Sequence, residues 1–239
     1  MNEDCKSSPY HLDVLDTLFE LQRGGLIQYI STRNFPPSML QTALDCGFNI
    51  DSNDVAGNLL KTNNLHSDDG LNEITRLISS PLGGGLLTNQ FSHYKNWAHL
   101  SSPTKKQFNL LFDLCCKMHS GSELDNLQKW ERYRTIIDTL EDMSFRYQVS
   151  LESIAMRWLL QLNDSDSISV STRMGMDCVE KQGGAPYSRH RDLRKVFTFS
   201  LEDDDMERLR KVSGLASDTS QAKSLDDHQI DFTNKALWM

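Results

Sequence analysis

Apolar residues recur at helical spacing from His11 to Arg23, where Leu12, Leu15, Leu18 and Phe19 share one face with Val14 at its margin. Gly24–Gly25 then supplies a stop, because glycine accepts the left-handed conformation at a helix end. The text LIQYIST, Leu26–Thr32, turns to β-branched and aromatic residues and predicts a strand, with Tyr29 packed in its middle. Pro36, Pro37 and Ser38 open a second helix that runs to Gly47, and FNIDSNDV (Phe48–Val55) reads as a second strand. A loop rich in Asn, Asp and Ser leads to a short helical segment, Gly70–Thr75, and RLISSPL follows as a third strand. The periodicity lapses from about Ser92 to Gly121. It resumes in a long helix over Lys129–Tyr147 and another over Leu151–Leu162, amphipathic around Ile154, Met156, Trp158 and Leu159. SISVSTR (Ser167–Arg173) is the fourth strand. Phe199–Val212 is the last helix, with Ser200 as its N-cap and Glu202–Asp205 at the positive end of its dipole.

Strands and helices alternate with short links, which predicts an α/β fold whose strands pair in parallel through right-handed crossovers. The stretch 92–126 breaks that economy. It is either an insertion on the face where the strands end or a floppy excursion, and the pattern leaves both open.

Composition narrows the class. The 239 residues are 38% hydrophobic and 24% charged, which describes a globular chain rather than a disordered one. A formal net charge of −8 and only short basic clusters argue against nucleic acid or an anionic membrane as partner. No stretch approaches the ~20 apolar residues that span a bilayer. The start, MNEDCKSSPYHLD, has neither the apolar core of a signal peptide nor the composition of a transit peptide, so a cytoplasmic setting is expected. Cys5, Cys46, Cys115, Cys116 and Cys178 lack zinc or redox spacing; the pair at 115–116 lies in an apolar run and reads as buried thiols. The odd count suits a reducing compartment.

The motifs carry a resemblance. QRGGLIQYISTRNFPPSML, then NIDSNDVAGNLL, then ISSPLGGGLL, then Ala155-Met156-Arg157-Trp158-Leu159-Leu160 before ISVSTR, follow one another in the order of the aldo-keto reductase family. The likeness covers roughly His11 to Gly214. It implies a partial (β/α)8 TIM barrel comprising about strands 5–8 and their helices, with the long insertion at about 92–126 after the third of them. The domain would span 11–214, between a disordered N-terminus over 1–10 and a tail over 215–239.

The resemblance also implies a site for NADP(H) and a carbonyl substrate. Asn34 would meet the nicotinamide carboxamide, and Asp54 stands where the family has glutamine. Ser80, Pro81, Leu82, Gly83 and Gly84 would pass the pyrophosphate, where glycine lets backbone N–H groups approach. Ser171, Thr172 and Arg173 would meet the adenosine 2′-phosphate, which suits the planar fork of Arg173. Arg33, Asp54, Gln90 and Ser171 depart from the family pattern, and Arg33 with Asp54 offers an internal ion pair instead. GGAPYSRHRDLRK, with Arg189, Arg191, Arg194 and Lys195, reads as a solvated basic loop.

The family's catalytic Asp, Tyr, Lys and His lie upstream of QRGGLIQYIS, where only about ten residues precede the first helix. None of these roles falls on Tyr10, Tyr29 or His11, and no catalytic residue is assigned. The expectation is a truncated oxidoreductase with absent or much reduced activity. The alternative is a non-catalytic half-barrel that self-associates, or joins a full-length relative, through its open sheet edges. A glycosidase reading fails, because Asp51 and Asp54 are three residues apart on one strand and point to opposite faces.

Overall fold

In a computed structural model the described residues are 10–62, 65, 74–115, 124–162, 168–171 and 193–215. Four short strands form one parallel sheet in the order of the chain: β1 Ser31–Arg33, β2 Ser52–Ala56, β3 Thr75–Ser79 and β4 Ile168–Ser171. Helix α1 (Tyr10–Arg23) precedes β1, and α2 (Pro37–Asp45) crosses from β1 to β2. A short α3 (Asn89–Ser92), α4 (Ser102–Cys115), α5 (Asn126–Tyr147) and α6 (Leu151–Leu160) lie between β3 and β4, and α7 (Asp203–Ser213) follows. Among the described residues no helix is long and apolar enough to cross a membrane.

The strands begin later than the apolar pattern predicts. The stretch expected as a strand from Leu26 is held to α1 instead: the Leu26 N–H donates to the Leu21 carbonyl, and the Gln22 amide donates to the Gln28 carbonyl. The Ile30 N–H bonds to the Asp51 carboxylate, not to a ladder carbonyl, so regular pairing starts at Ser31 with Ser52. Tyr29 is 75% exposed, which corrects its reading as a packing residue. Ile30, Ile50 and Ile74 lie just before their strands and are buried with Leu15, Leu40, Ala43 and Phe48 in a small cluster. This cluster plugs the amino end of the sheet, with Phe19 edge-on to Phe48. Thr75, expected at the end of a helix, starts β3; residues 70–73 lie outside the described ones.

Register fixes what each face carries, since paired residues share a side. Thr32, Asn53, Val55 and Ile78 are buried on one face. Ser31, Arg33, Ser52, Asp54, Ala56, Thr75, Leu77 and Ser79 form the other, which is half-buried or exposed. That open face is mostly polar and small, whereas the interior of a closed β/α barrel is filled by bulky branched residues. Gly57, just after β2, is closely packed: a Cβ there would lie 2.5 Å from Leu65 Cδ2, so that side chain would have to shift.

The main core joins α4, α5, α6 and α7 to the sheet through Ile78, Phe108, Trp130, Tyr133, Trp158 and Leu209. Between β3 and α5, the segment that broke the sequence pattern contains helix α4 among its described residues. Phe108 of α4 has no exposure and stacks among Phe91, Trp97, Phe112, Trp130 and Tyr133, at ring-centroid distances of 5.0–5.8 Å. Arg134 of α5 donates to the Ser92 and Tyr94 carbonyls, and Lys129 pairs with Asp113 at 2.6 Å.

Helix ends follow local chemistry. Asp125 and Gln128 form a capping box at α5, which ends on left-handed Gln148. Ser150 caps α6. Ser200, expected to cap the last helix, accepts a bond from Arg157 instead; α7 starts after Glu202, with Asp203, Asp204 and Asp205 in its first turn.

Candidate functional site

The sheet brings the carboxyl ends of all four strands to one edge, the usual place for a site in parallel α/β folds. Two buried asparagines, Asn53 within β2 and Asn58 just after it, fix the loops there. Asn53 of β2, 3% exposed, accepts from the Thr32 hydroxyl at 2.9 Å and from the Phe35 N–H. Its amide donates back to the Phe35 carbonyl at 2.9 Å, so the loop after β1 is clamped from both sides. Asn58, 1% exposed, donates to the Ser80 carbonyl at 3.1 Å and accepts from the Leu60 and Lys61 N–H groups. It joins the turn after β2 to the loop after β3.

These clamps hold two expected site residues in a conformation that L-residues avoid. Asn34 has φ 55 and Ser80 has φ 59. Both side chains are exposed. The third such residue among the described ones, Gln148, is accounted for as a helix terminus, whereas Asn34 and Ser80 lie at strand ends, and strained residues of this kind cluster at functional sites. Asparagine tolerates this region better than serine. Ser80→Gly is therefore expected to raise stability by about 1 kcal/mol, read as a higher melting temperature. A fall would mean that the Ser80 side chain contributes more than its backbone costs.

Between these two residues, Asp54 of β2 faces Arg33 of β1, with Arg33 Nε 3.6 Å from Asp54 Oδ2. The ion pair expected from the strand ends is formed, though loosely. Asp54 Oδ1 is shielded from solvent and has no hydrogen-bond partner. The edge thus exposes an amide, a hydroxyl and much of a guanidinium, beside one shielded carboxylate oxygen.

The glycine turn departs from expectation. Gly83, Gly84 and Gly85 all have positive φ, so glycine is needed for the turn itself. The N–H groups of Gly83, Gly85, Leu86 and Leu87 donate to the Ser80, Leu82 and Gly83 carbonyls, and this corrects the picture of Gly83 offering its N–H to an anion. A Cβ on Gly83 would meet Leu60 and Leu86 at 3.7 Å, and one on Gly84 would meet Leu111 of α4 at 3.5 Å. Pro81 is buried and Leu82 half-buried beneath the turn. Much of its backbone is thus engaged within the protein. Ser171 ends β4 opposite Ser79. Thr172, Arg173, Arg189 and Arg191 lie outside the described residues, and Gln90 falls in α3.

Cys115 is a free, half-buried thiol whose pKa burial pushes up to about 11, against the pull of Lys61, so it behaves as a small hydrophobe. Cys46 is disulfide-bonded. Three of the described tyrosines lie away from this edge. Tyr29 precedes β1, Tyr133 is buried among aromatic rings, and Tyr147 bonds to Asp205 beneath α7.

The model of the aldo/keto reductase family matches residues 4–213. No curated protein sequence matches. Among solved structures, a thermostable aldo-keto reductase crystallised with the inhibitor epalrestat is 19% identical, with a TM-score of 0.51 over 87% of this chain and 56% of its own. Aldose reductase from Giardia lamblia is 16% identical, with a TM-score of 0.55 over 87% of this chain and 52% of its own. Glycerol dehydrogenase from Gluconobacter oxydans is 15% identical, with a TM-score of 0.57 over 90% and 57%. The chain spans about half the length of these relatives.

Proposed function

The chain belongs to the aldo-keto reductase family, and from that premise we propose that it presents the cofactor side of an NADP(H)-dependent oxidoreductase while performing little or no carbonyl reduction alone. In this reading the sheet corresponds to strands 5–8 of a (β/α)8 barrel, within a domain over 11–214. The family generally uses NAD(P)H. One observation carries the reading: Asn34 and Ser80, both left-handed and exposed, flank an unsatisfied Asp54 oxygen at the carboxyl edge.

The residues fit the nicotinamide end of such a cofactor. A carboxamide both donates and accepts, so it can bond to the exposed Asn34 amide. The Ser80 hydroxyl and the rest of the Pro81–Gly84 turn would meet the pyrophosphate less intimately, because four N–H groups around that turn are already used. Ser171, Thr172 and Arg173 would hold the 2′-phosphate. When bound, the cofactor supplies a hydride. Reduction also needs a proton donor at the developing alkoxide, held at about 3 Å. Tyr133 and Tyr147 are committed elsewhere, and Tyr29 lies before β1, away from the carboxyl edge, which supports weak or absent turnover.

Titration of the purified chain with NADPH, followed by addition of aldehydes, tests this. Saturable binding with turnover reduced by at least ~10²-fold relative to a solved relative is expected, the usual cost of a missing positioned acid. Brisk aldehyde-dependent NADPH oxidation would overturn the loss of activity, and absent binding would overturn the cofactor reading.

A second reading, a module that pairs through its sheet edge, is favoured by Leu26 and Tyr29, 76% and 75% exposed just before edge strand β1. Light scattering that shows a compact dimer would support it; a monomer would exclude self-pairing.

A further inference from the structure

The turn after β2 and the turn after β3 lie against each other at the carboxyl edge. Asn58 donates to the Ser80 carbonyl at 3.1 Å, and a Cβ on Gly83 would stand 3.7 Å from Leu60 Cδ1 and 3.8 Å from Asn58 Nδ2. The backbones of Asn58 and Lys61 bond to each other in both directions, and Arg132 of α5 holds the turn they close by donating to the Leu60 carbonyl. Lys61 ends this turn with a half-buried side chain. Burial pushes the Cys115 thiol up to about 11, and the charge of Lys61 pulls against that rise. Cys115 Sγ in turn lies 3.6 Å from where a Cβ on Gly84 would stand. Lys61 is thus a neighbour of the glycine turn, and among the described residues it has no ion-pair partner.

A cation is what the glycine turn lacks. The N–H groups of Gly83, Gly85, Leu86 and Leu87 are engaged by carbonyls of the turn, so its backbone does not surround an anion as an open glycine loop would. The charge of its surroundings still favours one. Residues 80–112 hold no Asp or Glu in a chain of net charge −8, and Asp113, the first carboxylate beyond them, is paired with Lys129 at 2.6 Å. We propose that Lys61 supplies the positive charge for a phosphate group at the glycine turn, in place of the backbone N–H groups. The inference rests on the NADP(H) reading above, with the cofactor's pyrophosphate as the group held. An ammonium on a flexible stem is a point charge without a fixed fork, so it can reach the anion while the turn stays closed. Such a contact carries a signature, because salt screens an ion pair.

Calorimetric titration of the full chain with NADP⁺ and with NAD⁺, which lacks the 2′-phosphate but keeps the pyrophosphate, tests this at low and at high salt. Lys61→Gln is expected to weaken both ligands by the same factor, at least ~5-fold, as befits the loss of a charged hydrogen bond. Lys61→Arg, which keeps the charge, is expected to stay within about two-fold of the native chain. Added salt is expected to weaken binding to the native chain more steeply than binding to Lys61→Gln. Circular dichroism checks that each variant is folded. Unchanged affinity in Lys61→Gln, or equal salt dependence in the two proteins, overturns the proposal while the cofactor reading stands. So does a loss confined to NADP⁺, which would put Lys61 at the 2′-phosphate, or a loss that Lys61→Arg shares, which would make the lysine structural. If the native chain binds neither ligand, the cofactor reading itself falls, and this inference with it.

Discussion

Phe108→Ala is expected to destabilise the protein by about 3–5 kcal/mol, the cost of truncating a buried phenylalanine in a core that cannot close around the loss. Phe108 has no exposure, and five aromatic rings contributed by α3, the 92–100 stretch, α4 and α5 converge on it. The largest neighbours are hindered from filling the space because they hold one another: Trp97 lies 5.7 Å from Trp130, and Trp130 lies 5.2 Å from Tyr133. Burial also pushes the Tyr133 hydroxyl pKa up, so that side chain stays neutral in its place. The effect reaches the candidate site, because α4 packs on Gly84 through Leu111 and Cys115. Urea unfolding followed by tryptophan fluorescence measures the loss. A change below about 1 kcal/mol would mean that α4 is not part of the cooperative core.

Asp205→Ala carries the second large effect, about 2–3 kcal/mol, and it comes with a pH signature. The Asp205 side chain is 5% exposed. It accepts from Arg146 and from the Tyr147 hydroxyl, and that hydroxyl in turn accepts from the Glu202 N–H at 3.0 Å. The network ties the end of α5 to the start of α7. Arg146 is 45% exposed and can return to water when its partner is lost, which keeps the cost below that of a fully buried pair. Burial pushes the Asp205 carboxyl pKa up, but the bonds from Arg146 and Tyr147 outweigh it and hold the carboxyl below its ordinary value. A depressed folded-state pKa stabilises the protein above the unfolded value, near 3.9, and this contribution is lost as pH falls through the folded value. Native protein should therefore lose stability in acid below about pH 4, and Asp205→Ala should flatten that loss. Parallel acid slopes for the two proteins would remove Asp205 from the network's charge balance.

Helices α1, α5 and α6 were legible because their apolar period runs over several turns, whereas α4, of the same length as α1, fell where the period lapses. Strand starts were not. Ile30, Ile50 and Ile74 look like strand residues, but the fold uses them as a plug ahead of the strands. Ser200 misled in a similar way, since a serine before an acidic run matches a cap and only the tertiary structure reveals Arg157 waiting for it. At the candidate site, the facing of Arg33 and Asp54 followed from the strand ends. The clamps made by Asn53 and Asn58 did not, because an amide's partners belong to other elements. Nor did the strain at Ser80, where nothing in the residue type announces a left-handed backbone.

The two apolar clusters have a consequence for how the molecule opens. The smaller one gathers α1, α2 and the starts of β1–β3 around seven buried residues, while the larger one binds the helices after β3. Regions with fewer buried contacts open at lower free energy, as units of their own. Amide protons in α1, α2 and β1 should therefore exchange through a sub-global event, ahead of those in α5 and α6, which wait for the whole protein to unfold. Asn34 belongs to the less protected unit and Ser80, tethered through Asn58 to the turn beside Leu60, to the slower one. Any ligand that spans the edge would join the two, and its binding would register as slowed exchange in α1 and α2, far from the residues it touches.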